Sequence, residues 1–108
     1  MQITEELLKK FKGRMHISHS GEDDNLKELL SFSIAFVEDN CGEFDISGSA
    51  NIDIRAKELV IERTRYAYND AVEYFDDNFQ SDILSLSLDM VFAKEGGTTT
   101  TTTTLGGG

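Results

Sequence analysis

The sequence predicts a mainly α-helical fold: a small bundle of three main helices, then an extended or helical carboxy-terminal arm and a disordered Thr/Gly tail. Three observations lead to this prediction. Apolar residues recur at helical spacing in three segments, and each segment opens with capping or acidic residues. Residues 96–108 are glycine, threonine and one leucine, which cannot form a core. We therefore expect one folded domain at residues 1–95, with the arm at about 79–95, and a disordered tail at 96–108.

The first helix is predicted to begin at Thr4, whose hydroxyl can accept a hydrogen bond from the first turn. Acidic residues follow at once, and lysines lie towards the other end, which suits the helix dipole. Gly13 is expected to end the helix. Because so short a helix is marginal in isolation, it needs packing against the rest of the domain.

The second helix is predicted between an acidic start at residues 20–24 and Gly42, which stands where a left-handed residue often closes a helix. Its apolar stripe consists of Leu26, Leu29, Leu30, Ser33, Ile34, Val37 and Cys41. Phe32 and Phe36 fall outside this stripe, one turn apart. Either they widen the buried face or they form a second face for a partner protein.

The third helix is predicted to be the longest, because residues 52–75 after Asn51 contain neither glycine nor proline. Its spacing places Arg63 within the apolar stripe. Three interpretations stay open for this side chain: an arginine paired within the chain, a contact between subunits, or a stem that runs along apolar surface to bring the charge to water.

The arm contains apolar residues in strict alternation over residues 84–92, a pattern typical of a strand. A helix over the same residues would instead bring Ile83, Leu86 and Met90 to one side, so both structures remain open. A lone strand is unstable, and an extended arm would pair with a strand of another chain. The residues that we expect to contact other proteins are Leu84, Leu86, Leu88, Met90, Phe92, Phe32, Phe36 and Arg63.

The charge is strongly negative, with 20 acidic and 10 basic residues. This balance argues against binding to duplex DNA or to an anionic membrane, since both require lysine and arginine. Residues 1–19 carry four basic and two acidic side chains, whereas residues 20–49 carry one and eight. The opposite charges either pack the first two helices together or orient neighbouring subunits. Lysines 9, 10 and 12 and the acids at 22–24 are candidates for such a contact.

No motif of an enzyme or a bound cofactor is present, and we expect neither catalysis nor a metal. His16 and His19 with nearby acids make only a weak metal-site pattern. Cys41 is the only cysteine and lies on an apolar stripe, so we expect a core residue in a protein made in a reducing cytoplasm. We expect no signal peptide and no membrane-spanning segment.

Several short sequence segments resemble those of the head-tail connector (adaptor) family of long-tailed bacteriophages. Most lie in residues 55–71, followed by Tyr74-Phe75, Asn78-Phe79 and residues 81–84. The opening residues Ile3-Thr4, with Glu6 and Leu7, and Asp23-Asp24 before residues 26–30 are similar as well. The likeness covers about residues 3–92. The Thr/Gly tail departs from the family's pattern.

The resemblance implies a structural virion protein of the neck, at the head-tail interface. Such a subunit joins a ring, expected to be a dodecamer, beneath the portal protein and supports a stopper or tail-completion protein. DNA would pass through its channel without sequence-specific binding, and the carboxy-terminal arm would reach the portal. The alternative is a small acidic regulatory protein that mimics DNA and binds a basic partner, for which the net charge of −10 is the support.

Overall fold

The computed structural model describes residues 3–94, which form four α-helices and one 3₁₀ turn. Their bounds are α1 (Glu5–Met15), α2 (Asp23–Cys41), α3 (Asn51–Tyr68), the 3₁₀ turn (Val72–Tyr74) and α4 (Phe75–Lys94). The prediction of a mainly α-helical bundle is confirmed. The predicted tail at 96–108 lies outside the described residues.

Helix α1 begins as predicted, since Oγ1 of Thr4 accepts a hydrogen bond of 3.0 Å from the backbone N–H of Leu7. The predicted end at Gly13 is wrong, because the helix continues to Met15. It closes at His16, whose φ of 59° lies in the left-handed region. That conformation lets the N–H of Ile17 donate to the carbonyl of Lys12 at 2.9 Å, which satisfies an end-of-helix acceptor.

The prediction that the third helix reaches residue 75 is wrong. Helix α3 ends at Tyr68, and Asp70 adopts a left-handed backbone with φ of 62°. The N–H of Ala71 then donates to the carbonyl of Tyr66 at 2.8 Å. Aspartate is among the few non-glycine residues that tolerate this conformation, so the break needs no glycine. The chain turns here and returns along α2 and α3.

The arm is a helix, so the strand interpretation of residues 84–92 is wrong and the helical alternative is confirmed. Asp76 and Asp77 lie in the first turn of α4. A helix satisfies its backbone hydrogen bonds within itself, whereas a lone strand leaves them unpaired. It also turns Leu86 and Met90 into the core, where each is 1% exposed.

The antiparallel pair α2 and α3 forms the centre of the fold, and α4 packs on one side of it. There Nη1 of Arg55 lies 2.6 Å from a carboxylate oxygen of Asp89. Helix α1 also packs against the pair, and Nζ of Lys12 lies 2.7 Å from Oδ1 of Asp23 at the start of α2. Buried apolar side chains of all four helices share one core, which includes Leu7, Phe11, Leu26, Leu30, Ile34, Val37, Ala56, Val60, Ile61, Phe75, Leu86 and Met90.

Candidate protein-interaction surface

Helix α4 is apolar on two opposite faces. The inner face packs against α2 and α3 through Phe75, Leu86 and Met90, all buried. The other face carries four large apolar side chains that are half exposed: Leu84 at 59%, Leu88 at 52%, Val91 at 50% and Phe92 at 55%. Their spacing of four, three and one residues places them together on one side of a helix. We call these four residues the outer stripe.

The outer stripe is unusual because its members are contiguous. Single exposed apolar side chains are normal on protein surfaces, but contiguous ones mark contact surfaces. The stripe is confined to the second half of α4, because one and two turns earlier the same side carries the polar Ser81 and Asp77. It therefore forms a short apolar patch of two to three turns near the end of the described chain.

The predicted contact residues in the arm divide between the two faces. Leu84, Leu88 and Phe92 lie on the outer stripe, but the prediction is wrong for Leu86 and Met90, which are core residues. The reason is geometric: residues two apart share a face in a strand but diverge by about 200° in a helix. Val91 belongs to the stripe and was missed, because strand alternation put it on the polar side. Helical spacing from Leu84 and Leu88 would have found it.

The two phenylalanines outside the apolar stripe of α2 have different environments. Phe36 packs partly against the core, with its ring edge-on to Phe75 at 5.9 Å between centroids. Phe32 is 57% exposed. Phe36 therefore widens the buried face, whereas Phe32 lies on the surface, and its role as a contact residue stays a prediction.

Arg63 interacts within the chain. Its guanidinium lies over the ring of Phe36, 4.6 Å from the centroid, and Nη1 donates to Oγ of Ser33 at 3.3 Å. Burial lowers the pKa of Arg63, while the negative charge of Asp76 opposes that shift. Of the three interpretations, the structure supports an arginine held by its own chain.

Some of the oppositely charged side chains of α1 and α2 form ion pairs with each other within the chain. Lys12 pairs with Asp23 at 2.7 Å, and Lys27 pairs with Glu5 at 3.4 Å. Lys12 and Asp23 were candidates for a contact between subunits, and their pairing here instead joins α1 to α2. Lys9 and Lys10 make no ion pair in the described part of the chain.

The residues considered for catalysis or metal binding are dispersed. Within residues 3–94 no three histidine, cysteine, aspartate or glutamate side chains come together as metal ligands. Cys41 is buried, with Sγ 3.5 Å from the carbonyl oxygen of Ile83, and burial raises the pKa of its thiol, with Arg55 opposing the shift. A buried thiol with a raised pKa is a poor nucleophile.

None of the helices in the described residues is long and apolar enough to span a bilayer. Comparison with known proteins finds no matching family model, no matching curated protein and no matching solved structure.

Proposed function

We propose that this chain is a structural subunit of a phage head-tail connector, which forms a ring beneath the portal and joins the DNA-filled capsid to the tail. One observation carries the proposal: the outer stripe, an apolar surface left open on the carboxy-terminal helix. In the family that the sequence resembles, this part of the chain reaches the portal. A surface of this kind gains free energy when a partner covers it, because apolar area is removed from water.

The proposal includes specific partners. The portal protein covers the outer stripe of α4, further copies of the chain complete the ring, expected to be a dodecamer, and a stopper or tail-completion protein docks below. The net charge of −10 suits a subunit whose surface meets DNA without retaining it. The chain would be made in the cytoplasm of a bacterial host and end in the neck of the virion.

Co-expression with the portal protein of the same genome tests this proposal. The pair Leu84→Ser and Leu88→Ser makes the outer stripe polar without touching the buried face of α4. We expect the wild type to purify with the portal and this variant to lose at least about tenfold in affinity, because contacts at a buried apolar patch are worth several kcal/mol.

Ile54→Ser is the control, since it makes a comparably exposed apolar side chain (49%) polar on α3, outside the expected contact residues. We expect it to lose less affinity for the portal than the α4 variant. Equal binding by the wild type and by the Leu84→Ser, Leu88→Ser variant would refute the role of the stripe.

A second candidate function, an acidic DNA mimic that inhibits a basic protein, is favoured by the charge alone. Its complex would depend on exposed carboxylates and weaken steeply as salt increases. An apolar contact through the outer stripe would be far less sensitive to salt. Measuring the affinity of any captured partner at low and high salt separates the two.

A further inference from the structure

Three lysines line one pocket on the side of the bundle formed by α1, the α2–α3 loop and α3. Lys9 and Lys10 come from α1 and Lys57 from α3, with Leu7 and Ile46 as the apolar floor. Glu6 is the one acidic residue of the lining. The pocket therefore carries an excess of two positive charges.

Among the lysine and arginine side chains that the structure describes, these three lysines are the ones without an ion pair or a hydrogen-bond partner within the chain. Among the side chains of residues 3–93, the other lysines and arginines have partners within the chain: Lys12, Arg14, Lys27, Arg55 and Arg65 pair with carboxylates, and Arg63 contacts Ser33 and Phe36. In a chain with twice as many acids as bases, a local positive excess attracts a negatively charged partner.

A surface of complementary character lies between α2 and α4. Asp76 and Asp77, both exposed, line a groove there with the apolar Phe36, Ile83 and Leu84. Neither carboxylate lies within ion-pairing distance of a basic group in the described residues, although the charge of Asp76 is close enough to Arg63 to oppose the lowering of its pKa by burial. The groove thus offers two carboxylates beside apolar side chains, and the lysine pocket offers two excess positive charges beside an apolar floor.

The two surfaces are on different sides of the molecule, so they can meet only between copies. The lysine pocket is lined by residues of α1, the α2–α3 loop and α3, whereas the groove is lined by residues of α2 and α4, and no residue lines both. A contact between unlike surfaces of identical subunits is heterologous, and a heterologous contact generates either a closed ring or a filament.

We propose that the lysine pocket of one copy binds the Asp76 and Asp77 carboxylates of a second copy. This pairing specifies the contact between neighbouring subunits of the proposed ring. Only the closure of the contacts into a ring rests on the proposed connector function. A second copy suits the pocket because its α2–α4 groove presents two carboxylates beside apolar side chains, which match the lysines and the apolar floor of the pocket.

A charge-swap experiment tests the pairing without any portal present. One variant carries Lys9→Glu and Lys10→Glu, and the other carries Asp76→Lys and Asp77→Lys. In sedimentation velocity at low salt, we expect the wild type to self-associate and each variant alone to associate at least about tenfold more weakly, because like charges then face each other. The equimolar mixture should recover association, since each acidic pocket meets a basic groove.

The controls separate the contact from general effects of charge and folding. Lys27→Glu and Asp39→Lys change the charge equally per residue but lie outside both surfaces, and we expect them to associate as the wild type does. The neutral pairs Lys9→Gln, Lys10→Gln and Asp76→Asn, Asp77→Asn avoid new repulsion within a helix and should still weaken association. Circular dichroism confirms that every variant folds.

The outcomes distinguish this pairing from the connector role. A wild type that stays monomeric at low salt and high concentration would overturn the pairing, as would mixed variants that fail to recover association. Recovery in the mixture together with no binding to the portal would retain the pairing and reject the connector role. Portal binding together with unchanged self-association in both charge variants would retain the connector role and reject the pairing.

Discussion

A short chain of polar side chains crosses the middle of the α2–α3 contact. Ser33 and Thr64 are both fully buried, and their hydroxyl oxygens are 2.8 Å apart. The hydroxyl of Thr64 is also 2.8 Å from the carbonyl oxygen of Val60, and Arg63 donates to Ser33. Since each hydroxyl has one proton, the bonds depend on one another.

Thr64→Val keeps the shape of the side chain but leaves the buried hydroxyl of Ser33 without this partner. We expect a loss of about 1–3 kcal/mol in the free energy of unfolding. The double variant with Ser33→Ala should lose less than the sum of the single variants, because no unpaired hydroxyl is then buried. Urea unfolding measures all three, and strictly additive losses would show that the two hydroxyls act independently.

Glu62 joins α1 to α3 and makes stability depend on pH. Burial tends to raise the pKa of Glu62, but hydrogen bonds from Arg65 and Arg14 outweigh it and hold the pKa below its ordinary value of 4.5. A lowered pKa stabilises the fold above the unfolded-state pKa, and that contribution is lost as the pH falls through the folded-state pKa.

Glu62→Gln should therefore cost about 1 kcal/mol at pH 7, and the difference from the wild type should shrink below about pH 4.5. Unfolding in urea at several pH values measures it. Glu58→Gln is the matched control, since it removes a more exposed carboxylate from the same Arg14 and should cost less. A difference that grows as the pH falls would contradict this account of Glu62.

At the scale of elements, helix α4 shows most clearly what the sequence could and could not predict. Because α4 is apolar on two faces, its apolar residues alternate along residues 84–92, and this helix has the sequence pattern of a strand. The end of α3 was missed for a related reason: Ala67, Ala71 and Tyr74 keep helical spacing across the break. The cap at Thr4 was predictable because it depends on local chemistry. The bounds of α2 agree with the acidic start and with Gly42, but the start has no side-chain cap, and Gly42, with φ of 121° and ψ of 170°, does not adopt the predicted left-handed helical conformation.

A matched pair of substitutions on α4 tests its two faces. Leu86→Ala removes a side chain that is 1% exposed, and Leu88→Ala removes one that is 52% exposed. We expect the first to lower the free energy of unfolding by about 2–5 kcal/mol and the second to change it by less than about 0.5 kcal/mol. Similar losses in chemical denaturation would contradict the orientation of α4, since a strand would place both leucines on one face.

The candidate site could be predicted only in part. Exposure of Phe32, Leu84, Leu88 and Phe92 agrees with the expected contact surface. The sequence could not show that Arg63 is held by Ser33 and Phe36, because those contacts join helices that lie far apart along the chain. The convergence of Lys57 with the lysines of α1 is likewise a consequence of packing.

At the scale of the whole molecule, the bundle uses one apolar core for its own stability and leaves a second apolar surface open. Three lysines line one pocket, and two exposed carboxylates line the α2–α4 groove. The outer stripe stays exposed in a monomer, whereas a ring beneath a larger partner would bury it against the portal and would pair the charged surfaces between neighbours.

Electron-microscopy class averages of the chain co-expressed with the portal of the same genome test the central claim most directly. We predict an additional symmetric layer of density beneath the portal, in register with its subunits, that is absent when the portal is expressed alone. Portal particles identical with and without the chain, while the chain itself sediments as a monomer, would contradict the assembly role.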